Sequence, residues 1–129
     1  MNVDARLRLL RTSLTVIGLV FIFGLTPLTL LWPAAWRLEP DQPVYLQMFL
    51  GMYGMLGVFL VLAARDPARH TSLLWFTVWS SVVHVLVVAG HSLTVPGQLG
   101  HLWGDVAGML LVAAVLAFLA PRPQASTAA

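Results

Sequence analysis

The sequence predicts an all-α polytopic membrane protein, an antiparallel bundle of four transmembrane helices. Of its 129 residues 59% are apolar and only 9% are charged, and the mean hydropathy is +0.86. A soluble domain is excluded because about a quarter of the residues of such domains are charged. A disordered chain is excluded because disorder needs many charges and few aliphatic side chains. The chain has no cysteine, which also rules out thiol–disulfide chemistry.

Four apolar segments are long enough to cross a bilayer, which takes roughly 20 residues at a rise of about 1.5 Å each. The first segment follows three arginines, as in a signal peptide, but it exceeds the apolar core of about 7–15 residues that such peptides have. We therefore predict that it stays as a membrane anchor within a single domain, residues 1–129, whose tail 121–129 is disordered. The predicted spans are residues 12–32, 44–64, 71–91 and 101–120.

The arginines predict the orientation of the chain. If all four spans cross the membrane, only Arg37 falls on the side opposite the other six arginines. Cytoplasmic loops carry an excess of positive charge, so the side with six arginines is predicted to be the cytoplasmic one. Both termini are therefore predicted to be cytoplasmic. The arginines sit at membrane edges, so the lipid bilayer is the expected partner and nucleic acid is not. The six arginines on the predicted cytoplasmic side are Arg6, Arg8, Arg11, Arg65, Arg69 and Arg122.

Two groups of glycines are spaced three or four residues apart, which places each group on one helix face. Small residues at this spacing let helix backbones approach closely in lipid. We interpret both stripes as helix-packing surfaces, in preference to room for a flat cofactor ring. The stripe of span two is Gly51, Gly54 and Gly57, and the stripe of span four is Gly100, Gly104 and Gly108.

Span three carries a polar seam. Residues seven apart drift by only about 20° around a helix, so His70, Thr77, His84 and His91 share one stripe, which Ser80 and Ser81 flank. A polar seam in a membrane helix is expected to face protein or water instead of lipid. His84 and His91 are two turns apart, about 10 Å, which is too far for both to bind one small metal ion.

A second polar cluster is predicted at the outer end, where His91, His101 and Asp105 fall at similar depth. Counting back about 20 residues from Ala120 places Asp105 roughly one turn inside the hydrocarbon. A carboxylate there is costly and marks a site or a buried pair. We favour a structural pair of Asp105 with His101 or His91. A metal or substrate site on these three residues, or a proton relay, is the alternative.

Several stretches resemble one bacterial domain-of-unknown-function family, whose members are small four-span integral membrane proteins of this length. The resemblance covers nearly the whole chain from span one to Pro121. It implies the four-span fold and a multi-pass protein of the bacterial inner (cell) membrane, it marks His84, His101 and Asp105 as motif positions, and it brings no activity. The stretches are Met48-x-Leu50-Gly51-x-Tyr53-x-x-Leu56-Gly57, Ala64-Arg65-Asp66-Pro67, His70-x-Ser72-Leu73-x-Trp75-Phe76-x-x-Trp79-Ser80-Ser81-x-x-His84 and Gly100-His101-Leu102-x-Gly104-Asp105.

The first functional hypothesis is a non-enzymatic accessory or structural bundle that binds a membrane-protein partner or forms a homo-oligomer. It rests on the glycine stripes and on the lack of a known catalytic constellation, so no catalytic residue and no cofactor are predicted. The alternative is a metal- or haem-binding protein, with His84 as a haem ligand or the outer cluster as a metal site. A small transporter is the third hypothesis. Small four-helix multidrug exporters carry a membrane-embedded carboxylate in their first span, and span one of this chain contains none.

Overall fold

The structure, a computed structural model, describes residues 1–37 and 43–121, and within these residues it is helical with no β-strand. A 3₁₀ turn, Pro67–His70, leads into the third long helix. The helices are α1 (Val3–Leu31), α2 (Pro33–Trp36), α3 (Pro43–Ala63), α4 (Thr71–Thr94) and α5 (Leu102–Leu119).

Four of these helices are long and apolar enough to cross a membrane: α1, α3, α4 with its 3₁₀ turn, and α5. The all-helical fold with four such helices is confirmed. The first helix starts at Val3, nine residues before the predicted span, because Asn2 caps it: its side chain accepts a hydrogen bond from the Ala5 amide at 2.8 Å. The predicted disordered tail lies outside the described residues, apart from Pro121.

The helices pack in the spatial order α3, α1, α5, α4. Helix α1 lies against both α3 and α5, and α5 lies against α4. Helices α3 and α4 follow each other in the chain, yet their backbones come close mainly at the 3₁₀ turn that joins them. The bundle therefore has an open side between α3 and α4.

The start of α1 and the end of α5 lie at one end of the bundle, called here the terminal end. The Arg6 guanidinium donates hydrogen bonds to the carbonyls of Phe118, Leu119 and Ala120 at 2.8, 3.3 and 3.1 Å. These carbonyls end α5 and have no partner within the helix, so a cation there is favourable. The opposite end, where α2 and the start of α5 lie, is called the loop end.

Of the three glycines in the predicted stripe of α3, one packs against another helix and two do not. A Cβ built at Gly57 would lie 2.5 Å from the backbone oxygen of Gly18, so α1 and α3 touch backbone to backbone there. A Cβ at Gly51 or Gly54 meets nothing within 4 Å. Contrary to the prediction, these two glycines pack against no other helix of the described bundle, and the buried residues of α3 begin at Gly57.

The glycine stripe of span four packs as predicted, but against α2. A Cβ at Gly104 would lie 2.5 Å from Cβ of Ala35, and one at Gly108 would lie 3.1 Å from the Trp36 indole. Gly100 meets the α2 backbone equally closely. The short helix α2 thus rests directly on the first turns of α5.

Candidate functional site

Three polar side chains from three different helices form one hydrogen-bonded chain inside the bundle. The Nε2 atom of His84 on α4 lies 2.9 Å from Oδ1 of Asp105 on α5. The Nδ1 atom of His84 lies 3.3 Å from the hydroxyl of Tyr53 on α3. The side chains of His84 and Asp105 are 16% and 4% exposed. This arrangement, the Tyr–His–Asp chain, joins α3, α4 and α5.

Two π-helical segments position residues of the Tyr–His–Asp chain: one contains Asp105, and the other contains Phe21, which packs on Tyr53. Asp105 lies in the π-helical start of α5, Leu102–Val106. A second π-helical segment, Val20–Gly24, interrupts α1 and places Phe21 edge-on against the Tyr53 ring, with ring centroids 5.1 Å apart. Such a segment holds one extra residue per turn and re-aims side chains, and it is frequent at functional sites.

Aromatic rings hold the histidine in place. The Phe49 and Tyr53 rings have centroids 4.5 Å apart, and they lie 5.7 and 5.9 Å from the imidazole of His84. Contacts of this size stabilise defined ring orientations. The imidazole is therefore fixed both by its hydrogen bonds and by its neighbours.

A cavity of about 290 Å³ opens beside this chain at the loop end. His84 and Asp105 form part of its wall, and Arg37 is the other charged residue in it. The remaining lining is aromatic or aliphatic, and it comes from the end of α2 and the start of α3. The lining residues are Trp36, Arg37, Tyr45, Leu46, Phe49, His84 and Asp105.

The Tyr–His–Asp chain can hold an added proton without losing a contact. With His84 neutral, Nε2–H donates to the Asp105 carboxylate and Nδ1 accepts from the Tyr53 hydroxyl. With one more proton on His84, Nδ1–H donates to the Tyr53 oxygen instead. Because both ring nitrogens are engaged in either state, His84 offers no free nitrogen to a haem iron.

The structure gives the carboxylate of the predicted outer cluster, His91, His101 and Asp105, a partner from outside that cluster. Asp105 is paired with His84, so the predicted partners, His101 or His91, are wrong. Within residues 1–37 and 43–121 no three His, Cys, Asp or Glu side chains are placed to hold a metal ion. His101 is 0% exposed, and its imidazole lies beside the backbone of Ala35 and Arg37.

Helix depth explains the change of partner. His84 lies ten residues before the end of α4 at Thr94, about 15 Å along the axis, whereas Asp105 lies only three residues after the start of α5 at Leu102, about 4.5 Å. Their contact means that α5 begins several ångströms deeper in the bundle than α4 ends. Helix α2 packs on Gly100 and Gly104 and lies at the depth that additional turns of α5 would otherwise occupy.

Two further residues of the polar seam, Thr77 and Ser80, form hydrogen bonds within their own helix. The Thr77 hydroxyl donates to the Leu73 carbonyl at 2.9 Å, and Ser80 donates to the Thr77 carbonyl at 3.2 Å. Thr77 and Ser81 are buried, and Ser80 is half-buried. The seam faces protein at these positions, and its contribution to the site is His84.

Sequence reasoning missed Tyr53, Trp36 and Phe49. A tyrosine in the middle of an apolar span is a usable signal, because a buried phenol hydroxyl usually finds a partner. No comparable signal marks Trp36 and Phe49, whose position depends on where α2 and α3 lie.

A comparison of the sequence with curated proteins and of the chain with solved structures found no match. The model of a family of unknown function, DUF6632, matches residues 4–127. This confirms the resemblance to an unknown-function family and carries no activity with it. The chain therefore belongs to the family of unknown function DUF6632.

Proposed function

We propose that this chain is a membrane-embedded binding protein for a small, predominantly apolar molecule that carries one polar group. The observation that carries the proposal is the buried His84–Asp105 pair in the wall of a largely apolar cavity. Apolar pockets with a few convergent polar groups are the usual form of small-molecule sites.

The cavity argues against a purely structural role for the pair. Burying ionisable groups in a membrane costs free energy whether or not they pair. A pair that served packing alone would need no space beside it, since protein interiors are filled to the density of organic crystals. The empty volume next to His84 and Asp105 therefore favours a ligand.

The volume also limits the ligand. About 290 Å³ is at the low end of the roughly 300–1,000 Å³ range of small-molecule pockets. A single substituted ring or a short chain fits, and a macrocycle such as haem does not. Together with the engaged nitrogens of His84, this leaves the haem hypothesis without support.

The location proposed for this protein is the bacterial inner membrane, with both termini in the cytoplasm. The split of the arginines supports this orientation. The contact of Arg6 with the end of α5 supports one common side for the two termini. In this orientation the cavity lies in the outer half of the membrane.

A second candidate function, a homo-oligomeric or accessory bundle, is favoured by one observation. Gly51 and Gly54 leave open space on α3, and glycine faces of this kind pack helices in lipid. Because the chain has no cysteine, the single variant Gly51→Cys tests this directly. Oxidative cross-linking in membranes is expected if two copies meet at this face, with Leu86→Cys as the lipid-facing control.

The proposed binding function is tested by filling the cavity. Leu46 lines it, whereas Leu86 on α4 is exposed at 67% on the outside of the bundle. Leu46→Trp and Leu86→Trp therefore make the same change in two settings. Mass spectrometry of solvent extracts of purified protein should find a bound small molecule in wild type and Leu86→Trp and lose it in Leu46→Trp.

Equal recovery from all three proteins, or no bound molecule in any of them, contradicts the binding function. If a molecule is found, its labelled form can be followed into vesicles that contain the protein. Accumulation there would extend the function from binding to transport.

A further inference from the structure

We infer that the molecule bound in this cavity is a neutral aromatic ring with a hydroxyl group, a phenol or a hydroquinone, whose hydroxyl donates to Asp105. The inference rests on the proposed binding function and names the ligand class of the same site.

The shape and lining of the cavity favour a flat ring. Trp36, Tyr45 and Phe49 contribute three aromatic side chains, and Leu46 adds an aliphatic one. Aromatic rings pack well against one another in offset or edge-on geometry, with a gain of about 0.5–1.5 kcal/mol beyond simple burial. A cavity of this size holds one such ring with small substituents.

The hydrogen-bonding groups favour a donor on that ring. Oδ1 of Asp105 faces Nε2 of His84, and among the described residues no hydrogen bond to Oδ2 is present. A carboxylate has about four acceptor sites, so Asp105 retains acceptor capacity at the cavity wall. His84 has none to spare, because both of its nitrogens are engaged.

The charges in the lining favour a neutral ligand. The described lining contains one arginine and one aspartate, Arg37 and Asp105, and apart from His84 the rest of it is aromatic or aliphatic. A ligand with a net charge would lose its hydration in this mostly apolar environment, which is costly. An anion would also face the Asp105 carboxylate.

The test uses four probes of similar size and the purified full-length protein in detergent. The probes are p-cresol, p-xylene, p-toluate and benzylammonium, which are a neutral donor, its methyl isostere, an anion and a cation. Calorimetric titration, corrected for uptake by empty micelles, should show p-cresol binding about tenfold more tightly than p-xylene, as expected for one hydrogen bond to a charged acceptor.

Two variants assign this preference to Asp105. Asp105→Leu removes the acceptor and should bring the ratio of p-cresol to p-xylene affinity close to one. Asp105→Asn keeps an acceptor oxygen and should retain most of the preference. Because micelle uptake is common to all proteins, the change in the ratio does not depend on it.

Failure of the inference and failure of the proposed function are distinguishable. Tighter binding of p-toluate or benzylammonium than of p-cresol overturns the ligand class and leaves the binding function standing. Equal affinity for p-cresol and p-xylene in wild type also overturns the class, and it does so even if Asp105→Leu cannot be purified. If none of the four probes binds, the ligand class fails, and the Leu46→Trp extraction decides the binding function by itself.

Discussion

The two ends of the bundle are built in different ways. At the terminal end each of the four long helices contributes a leucine that is 0% exposed, namely Leu14, Leu60, Leu74 and Leu116. At the loop end α3, α4 and α5 surround a cavity and meet through the Tyr–His–Asp chain. The terminal end is a filled apolar core, whereas the loop end contains buried polar side chains beside a cavity with mostly apolar lining.

The glycines of α3 follow the same division. Gly18 and Gly57 bring the backbones of α1 and α3 together near the middle of the bundle. Beyond this contact, a Cβ at Gly51 or Gly54 would meet nothing within 4 Å, whereas Tyr53 packs against Phe21 of α1 and reaches His84. The filled terminal end stabilises the arrangement of the helices, and the loop end carries the residues of the candidate site.

The largest expected effect concerns which end of the bundle faces the cytoplasm, and it is all-or-none. A reporter fused after Arg122 should be active only in a cytoplasmic form, and one inserted beside Arg37 only in a periplasmic form, because of the arginine bias. Activity of paired cytoplasmic and periplasmic reporters measures this. A periplasmic signal from the C-terminal fusion would reverse the assignment of the two ends.

Next in size is the glycine contact. Gly57→Leu should lower the free energy of unfolding by about 3 kcal/mol or more, since its side chain must displace the backbone of α1 and overpacking of this kind is costly. Gly54→Leu is the control and should melt like wild type, because its Cβ meets no atom of the chain. Thermal unfolding in detergent compares the two. Similar melting of both variants would refute the backbone contact.

The filled end should respond strongly to lost volume. Leu74→Ala is expected to cost about 2–5 kcal/mol, as for other large-to-small changes in a core. Leu86→Ala removes the same atoms from a lipid-facing position and should change the free energy of unfolding by less than about 0.5 kcal/mol. Equal losses in the two variants would show that the four leucines do not form the core.

The open end should depend on the partner of His84. Asp105→Ala leaves the imidazole without its acceptor and should cost about 1–3 kcal/mol. Asp105→Asn retains a hydrogen-bonding group and should cost less.

Zn²⁺ or Cu²⁺ titrated into wild type should give no binding heat. Metal binding that is lost in Asp105→Asn would restore the metal-site hypothesis.

The smallest effect is expected at Tyr53. Tyr53→Phe removes a hydroxyl that lies 3.3 Å from His84 and keeps the ring against Phe21 and Phe49. The loss in free energy of unfolding should be below about 1.5 kcal/mol, the upper value for a typical neutral hydrogen bond. Tyr53→Ala, which also removes the ring, is the comparison. A loss from Tyr53→Phe as large as that from Tyr53→Ala would mean that the hydroxyl, not the ring, holds α3 in place.

Much of the fold and the central residues of the site could be predicted from the sequence. Asp105 was identified because a carboxylate inside a span is expensive wherever it points. His84 was identified because heptad spacing places it on a polar seam. Their pairing could not be predicted, since it depends on how deeply α5 begins and on the π-helical segment that carries Asp105. The same limit applies to Gly51 and Gly54, which share their spacing rule with Gly57 but have no neighbour.

By itself the sequence determined the four helices that are long and apolar enough to cross a membrane, and the presence of costly polar groups within them. These properties follow from hydropathy and spacing along the chain, and each residue contributes to them independently of the fold. The tertiary structure alone decided which polar groups meet, where the bundle is filled and where a cavity stays open. Those outcomes depend on the relative depth and rotation of whole helices, which are set by contacts between residues far apart in sequence, such as Gly18 with Gly57 and α2 with Gly104.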